Sequence, residues 1–407
     1  MNNNESESIV VVGSGHAALQ LCAGLVEAGL GARVQLVAEE DELPYHRPPL
    51  SKVFLKTPAE ALQSLRAEAW FADSGITVQR GDAAAAIDRE HRVLRLRSGR
   101  ELHYGRLVLA TGSRARRLHS LPEGLVNVAA LRHAADARVL RERLHAATRL
   151  TVLGGGFIGL EIAATARALG KEVTVLEAAP RLLQRSVSPE IAAFVLDTHC
   201  AAGIDVRLGV AVGEFEIVGP EVRSLGVDGQ REPVELLVLG IGASPEQALA
   251  MAAGLPCEDG IVVDACMRTA DPHILAIGDC TRFPDSRSGR HVRLESVQNA
   301  NDQARCAVAT LLGREEPYRA LPWFWSEQGS LRLQMAGLVP AEGTRHHRPG
   351  ATATSFSILH YAAAQLVCVE SVNAPLEHLM ARKLLEAGRS PDPRAACDPA
   401  TPLKTFL

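Results

Sequence analysis

The 407-residue chain is predicted to be α/β, with two parallel-sheet units and a small C-terminal α/β domain. Three observations predict this. An apolar run, a glycine-rich turn, a helical stretch and a second apolar run follow one another from residue 9 and again from residue 151. Each copy then reaches an acid, Glu39 in the first and Glu177 in the second. Past residue 320 the pattern changes to β-rich patches and one late helix.

The second copy is the fuller one. Thr151-Val152-Leu153 enters Gly154-Gly155-Gly156-Phe157-Ile158-Gly159, residues 160–169 read as a helix stopping at Gly170, and Val173-Thr174-Val175-Leu176 ends on Glu177. This is the order of a dinucleotide-binding βαβ unit. Gly154 allows the tight turn, Gly156 lets backbone approach a pyrophosphate, and Gly159 lets helix and strand pack closely. Glu177 stands where a carboxylate accepts from a ribose 2′-OH and repels a 2′-phosphate. A lone GxGxxG also marks ordinary turns; strand, helix and acid in register favour the nucleotide reading.

The first copy begins with Ile9-Val10-Val11-Val12, a buried parallel strand by its composition. Gly13-Ser14-Gly15-His16-Ala17-Ala18 repeats the fingerprint, with Ala18 as the tolerated variant of the third glycine. A helix is predicted to about Ala28, ending at Gly29, and Val34-Gln35-Leu36-Val37 is the next strand, with Glu39 in the ribose-binding place. The chain therefore reads as two Rossmann-like dinucleotide-binding domains, and two such folds suggest two nucleotides. A hydride donor and a flavin are the usual pair.

Composition narrows the class. Hydrophobic content of 47% with 22% charge is that of a globular protein, and a net charge of −4 gives no reason to expect nucleic-acid binding. No apolar run reaches the roughly 18 residues of a membrane span. Met1-Asn2-Asn3-Asn4-Glu5 lacks the basic segment of a signal peptide, so the expected location is cytoplasmic. The eight cysteines are scattered with no CxxC, so reduced thiols and no metal site are expected. Residues 89–149 carry fourteen arginines against five acids, an excess of +9. That run fits a solvated face or a surface steering an acidic partner.

The most distinctive stretch is Leu43-Pro44-Tyr45-His46-Arg47-Pro48-Pro49-Leu50-Ser51-Lys52. The two prolines fix φ, and Leu50-Ser51-Lys52 can open a helix. On the residues alone, Lys52 fits either a solvated lysine or a cation presented near the first glycine turn. Arg47-Pro48-Pro49-Leu50-Ser51-Lys52 after a GxGxxA unit and an acid resembles the FAD-dependent NADH:ferredoxin reductases of bacterial oxygenase systems. That family includes the putidaredoxin, rubredoxin and aromatic-ring dioxygenase ferredoxin reductases. His46 departs from the Asp or Glu usual before the arginine.

The likeness continues along the chain. Ala110-Thr111-Gly112 resembles the family's exit from the FAD domain, and Leu131-Arg132 with Asp136-Ala137 a segment whose arginine reaches the FAD. Gly154 to Glu161 resembles GGGxIGxE, and Gly240-Ile241-Gly242 the return to the FAD domain. Gly278-Asp279 looks like the second FAD motif, whose acid holds the ribityl chain, and Glu295-Ser296-Val297 the helix start at the flavin edge. Pro322-Trp323-Phe324-Trp325-Ser326-Glu327-Gln328 resembles the opening of the third domain, although Gly329-Ser330 departs from the tyrosine-containing continuation. The run Asp82-Ala83-Ala84-Ala85-Ala86 is expected to lead into a strand beside the FAD adenine. Each motif also has a plain structural reading: Ile274–Ile277 as core strand, Trp323 and Trp325 as packing, Cys22 and Cys280 as buried small residues, His16 as packing or a loop donor.

The resemblance implies a glutathione-reductase-like organisation: an FAD domain of residues 1–111 and 240–319, an inserted NAD domain 112–239, and a C-terminal α/β domain 320–407. It implies FAD held by Gly13, Gly15, His16, Ala17, Ala18, Glu39, Arg47, Lys52, Ala84, Ala110, Thr111, Gly112, Arg132, Gly278, Asp279, Glu295, Ser296, Val297 and Trp325. It implies NADH held by Gly154, Gly156, Phe157, Ile158, Gly159, Glu161, Glu177, Gly240, Ile241 and Gly242. Arg181 and Arg185 stand near enough to Glu177 to leave a 2′-phosphate open. Lys52 and Glu161 are implied as an ion pair at the flavin, the cation offsetting charge on its reduced form. On its residues alone Glu161, read on the first turn of its helix, also fits N-terminal stabilisation worth about 0.3–1 kcal/mol. The implied acceptor is a 2Fe–2S ferredoxin feeding a cytochrome P450 or Rieske-type oxygenase; the oligomeric state is left open between monomer and weak dimer. A flavin disulfide reductase or NADH oxidase needs a redox cysteine after the first acid, and residues 40–60 hold none. A non-catalytic FAD- and NADH-binding sensor is weighed against by Lys52, Glu161 and the tryptophan segment.

Overall fold

The computed structural model describes residues 8–407. They fall into two compact units, one comprising residues up to Arg47, Ala61–Arg114 and Ala243–Ala320, the other Pro48–Glu60, Ala115–Gly242 and Leu321–Leu407.

The first unit is built on a five-stranded parallel sheet in the order Ile274–Ala276, Arg106–Leu109, Ile9–Val12, Val34–Val37, Thr77–Gln79. All four residues of Ile9–Val12 are buried, as a central parallel strand covered on both faces requires. Helix His16–Glu27 buries Ala18, Leu21, Cys22 and Leu25 against this sheet. An antiparallel meander, Ala84–Asp88, Val93–Leu96 and Glu101–His103, joins the unit.

The second unit repeats the plan with a parallel sheet in the order Asp205–Leu208, Glu172–Glu177, Arg149–Leu153, Leu236–Leu239, Val128–Ala129. Val12 stands opposite Val37 and Leu109; Leu153 stands opposite Leu176 and Leu239. The internal repeat is therefore one of register as well as of sequence.

Residues 321–407 add a five-stranded antiparallel sheet, ordered Trp323–Gln328, Leu331–Gly337, Gln365–Val372, Phe356–Ala362, Thr344–Pro349. One face lays Leu333, Met335, Ile358 and Phe356 into the core of the nucleotide-binding half of this unit. The other gives Ala336, Leu359 and Val369 to helix Pro375–Glu386, through Ala381, Leu384 and Leu385. The late helix expected past residue 320 is thus found over Pro375–Glu386.

The segment 48–60, expected in the first part of the FAD domain, packs in the second unit instead. Pro48–Ser51 forms a 3₁₀ turn and Val53–Lys56 one helical turn. Leu55 is fully buried in one core with Leu140 and Leu144. The Arg141 guanidinium lies 4.1 Å from the Phe54 ring centroid and donates to the Glu60 carbonyl at 2.9 Å. These contacts come from helix Ala134–Ala146, far away in sequence, which is why local pattern placed the segment elsewhere.

Candidate active site

In the first unit the glycine turn forms a cradle. Gly13 has φ +117°, and a Cβ there would sit 2.2 Å from the Ala110 carbonyl oxygen, so only glycine fits. Gly15 is different: the nearest atom to a Cβ would be Arg47 Nε at 3.9 Å, so no protein packing demands a glycine. Helix His16–Glu27 starts there with no side-chain cap and no acid in its first turn. A helix start without a capping side chain leaves its leading N–H groups and positive dipole end able to take a phosphate.

Around this turn, Arg47 pairs with Glu40 at 2.8 Å and Tyr45 donates to the same carboxylate at 2.6 Å. His46, the departure from the family pattern, stands edge-on to His16 with ring centroids 5.6 Å apart. Ala110 follows a parallel strand, Thr111 donates to the Glu246 carbonyl at 2.6 Å, and Glu246 N–H donates to the Gly112 carbonyl at 2.9 Å. Gly278 donates to Gln303 at 2.7 Å, with Asp279 next to it accepting from Ser113 at 3.4 Å. Ser296 caps helix Val297–Leu311 through the Asn299 N–H, and Glu295 pairs with Arg293. Ala84 opens the strand Ala84–Asp88.

Glu39 is corrected. By register, the residue after Val37 corresponds to the residue after Leu176, so Ala38 and not Glu39 matches Glu177. Glu39 lies one position farther on, with its side chain 67% exposed and paired with Arg97 at 3.2 Å.

The second cradle repeats the first. Gly154 has φ +101°, and a Cβ would meet the Gly240 carbonyl oxygen at 2.5 Å. Gly159 lies against the Gly154 carbonyl and Val152, whereas a Cβ on Gly156 would have only the Gly240 oxygen, at 3.6 Å. Helix Phe157–Ala168 again lacks a side-chain cap and a first-turn acid. Phe157 packs on Phe324 with ring centroids 4.6 Å apart, while Ile158 is exposed. Glu177 ends its strand and accepts N–H bonds from Gly155 at 2.6 Å and Ala179 at 2.7 Å. Arg181 donates to the Val187 and Gln184 carbonyls, both at 2.7 Å, so its guanidinium braces a loop. Across from the turn, Gly242 has φ +98° and accepts from Arg116 N–H at 2.9 Å, following Gly240 and Ile241. Open second glycines over uncapped helix starts fit a dinucleotide at each turn.

Lys52 and Glu161 meet within the second unit. Lys52 Nζ lies 2.6 Å from Glu161 Oε2, with side chains 23% and 5% exposed. Ser51 Oγ donates to the same oxygen at 2.5 Å, and Ser326 Oγ donates to Oε1 at 2.7 Å. Three donors and one full positive charge compensate a carboxylate removed from water. Glu161 is the fifth residue of helix Phe157–Ala168. It therefore lies past the first turn, too far in for the expected N-terminal stabilisation.

The sequence reasoning placed Lys52 and Glu161 together but missed Ser51 and Ser326. Both lie inside quoted motifs, and the alternation of strand Trp323–Gln328 was the available signal. Phe324, Ser326 and Gln328 share the face toward Glu161; Trp323 and Trp325 share the other, 5.5 Å apart, with Arg382 5.1 Å from the Trp323 centroid. Arg132 begins the turn into helix Ala134–Ala146, its N–H donating to Asp136 at 2.9 Å.

The basic run 89–149 is divided between the units. Several of its arginines pair with acids, among them Arg89 with Asp271, Arg95 with Glu101, Arg97 with Glu39, Arg114 with Glu246, Arg117 with Glu123 and Arg149 with Glu235. All eight cysteines are free thiols. Burial pushes Cys22 and Cys306 up to about 12 and raises Cys280 and Cys368. None of these four is poised as a thiolate nucleophile. Among the described residues no group of acids, histidines and cysteines could hold a metal ion.

Residues 7–304 match the family model for pyridine nucleotide-disulphide oxidoreductases, and residues 323–407 match the reductase C-terminal model. Rhodocoxin reductase of Rhodococcus erythropolis is 40% identical, over 98% of this chain and 94% of its own length. The ferredoxin–NAD(+) reductase component of the anthranilate 1,2-dioxygenase system of Burkholderia cepacia is 39% identical, over 99% of this chain and 100% of its own. In the crystal structure of the covalent putidaredoxin reductase–putidaredoxin complex, a chain with 38% identity superposes at TM-score 0.94, covering 98% of each chain. Two dinucleotide cradles in one register, a buried lysine–glutamate pair and these likenesses lead to one assignment: the chain belongs to the pyridine nucleotide-disulphide oxidoreductase family, in the branch that carries a reductase C-terminal domain.

Proposed function

We propose that this chain is an NADH-dependent ferredoxin reductase, an FAD flavoprotein whose electrons leave to a separate 2Fe–2S ferredoxin serving a cytochrome P450 or Rieske-type oxygenase. The observation that carries the reading is the Lys52–Glu161 pair, whose acid stands on the helix that opens at the second glycine turn. It offers charge stabilisation where a disulfide reductase would need a thiol, and residues 40–60 contain none. The names of the relatives support the same acceptor, as does the solved complex with putidaredoxin.

FAD, when bound, supplies the hydride acceptor and the outlet for electrons. The chain supplies position and field. The N–H groups at Gly15 and His16, beside Ala17 and Ala18, would hold the FAD pyrophosphate, and those at Gly156 and Phe157 that of NADH. Asp279 takes the ribityl hydroxyls, Glu295 to Val297 the flavin edge, and Ala84 the adenine side. Lys52, Arg132 and Trp325 are assigned to FAD by family resemblance. Lys52, with Glu161 fixing its ammonium, offsets the negative charge gained on reduction. Glu177 accepts from the NADH ribose, and with Arg181 committed to carbonyls the turn favours NADH over NADPH. No helix among the described residues is long and apolar enough to cross a membrane, and a cytoplasmic location is proposed.

Stopped-flow mixing of the yellow protein with NADH tests this. The flavin band bleaches, and cytochrome c is then reduced only when a ferredoxin is added. Failure of NADH to bleach the flavin overturns the reading; cytochrome c reduction without ferredoxin overturns the acceptor.

A further inference from the structure

Glu161 is the end of a longer buried chain of hydrogen bonds. Ser326 Oγ, which donates to Glu161 Oε1 at 2.7 Å, lies 3.2 Å from Gln328 Nε2, and Gln328 Oε1 lies 2.8 Å from His199 Nε2. The four residues are 5%, 0%, 2% and 3% exposed in the order Glu161, Ser326, Gln328, His199. They come from three places: helix Phe157–Ala168, strand Trp323–Gln328 and helix Pro189–Ala201.

The ionised end fixes every proton. A carboxylate only accepts, so Ser326 must give it its one O–H. The serine oxygen is then left as an acceptor, so Gln328 must turn its NH₂ toward it and its carbonyl toward His199. His199 must therefore carry its proton on Nε2. Burial lowers the basicity of that imidazole, keeping it neutral with a single N–H to place. All donors point the same way, and bonds so aligned polarise one another. On the far side, Thr165 Oγ1 donates to the Ser51 carbonyl at 2.8 Å, steadying the residue that holds Oε2.

We propose that His199 is a positioning residue for the NADH half-reaction, acting through Gln328 and Ser326 to hold the Glu161 carboxylate in register with Lys52. This rests on the reading of the chain as an NADH-reduced flavoprotein. It also makes strand Trp323–Gln328, in the C-terminal domain, a working part of the nicotinamide-binding half.

The test is the limiting rate of flavin bleaching by NADH in the holoprotein, with NADH affinity from the same traces. His199→Phe keeps a ring but no donor and is expected to slow the limiting rate about 5–20-fold, with NADH affinity within about twofold, as misplacement of a reacting group does. His199→Gln presents an amide N–H at a similar reach and is expected to recover the rate to within about twofold. Ser326→Ala cuts the chain at its last link, so adding His199→Phe to it should slow the reaction no further. The proposal is overturned if His199→Phe bleaches at the parent rate, or if His199→Gln is as slow as His199→Phe. It is also overturned if the two substitutions multiply in the double variant. If the parent protein itself is not bleached by NADH, the flavoprotein reading fails and the proposal with it.

Discussion

At the scale of single residues, the cost of burying charge decides where chemistry can sit. Glu161 is nearly inaccessible yet has Lys52, Ser51 and Ser326 as donors, so removing the cation leaves a carboxylate with two hydroxyls only. Lys52→Met is expected to lower the limiting rate of NADH-driven flavin bleaching by about 100-fold, the scale of losing one preorganised electrostatic partner. Stopped-flow absorbance measures it, and an unchanged rate removes Lys52 from the mechanism. His378 shows the opposite economy. Both ring nitrogens are buried without a hydrogen-bond partner, and burial, then Arg382 and Arg332, push the imidazole down to about 4. The unfolded chain therefore takes up this proton first, near pH 6.5, and the folded chain only near pH 4. Stability is full above pH 6.5 and falls as pH drops through this window, by about 2 kcal/mol between pH 7 and pH 5 from this group. His378→Leu should remove that component of the pH dependence, read as a smaller difference in denaturation midpoint between pH 7 and pH 5.

At the scale of elements, what could be read in advance was whatever depends on local pattern. The strands Ile9–Val12 and Val34–Val37 agree residue for residue with their apolar runs, and both glycine-turn helices end two residues before the glycine stop. What could not be read depends on partners far away in the chain. Strand Thr344–Pro349 is Thr-Arg-His-His-Arg-Pro, a polar edge strand whose only signal is the apolar strand it pairs with. The acid of the first copy lies one residue past the register position of Glu177, because register is set between strands and not along one. The four-residue helix Val53–Lys56 is too short to hold itself together. Leu55 docks it, and Leu55→Ala is expected to cost about 2–5 kcal/mol by lost burial and a cavity. A fall in thermal midpoint, together with a slower Lys52-dependent bleaching, would show that this small element positions the lysine. Loss of stability with the bleaching rate intact would separate the two.

At the scale of the whole chain, one βαβ plan is used twice and has to be made to hold different nucleotides. The two cradles agree in their first glycines, in the carbonyl each first glycine packs on and in their uncapped helix starts. They differ at the end of the second strand, where Ala38 stands in one and Glu177 in the other. The Glu177 oxygens fix the Gly155 and Ala179 N–H groups, and on the proposed reading its remaining lone pairs and charge meet the NADH ribose. Glu177→Ala should therefore weaken NADH and, by removing the repulsion of a 2′-phosphate, lower the NADH-to-NADPH preference in kcat/KM by about tenfold or more, a coupling of roughly 1.4 kcal/mol. Glu177→Gln keeps an acceptor for one backbone N–H but carries no charge, so it should lose preference while retaining more of the NADH affinity. Steady-state kinetics with both coenzymes distinguish the roles. If both variants keep the parent preference, the acid serves only to shape the turn, and coenzyme choice must come from elsewhere on that cradle, with Arg185 beside Gly242 the next side chain to change.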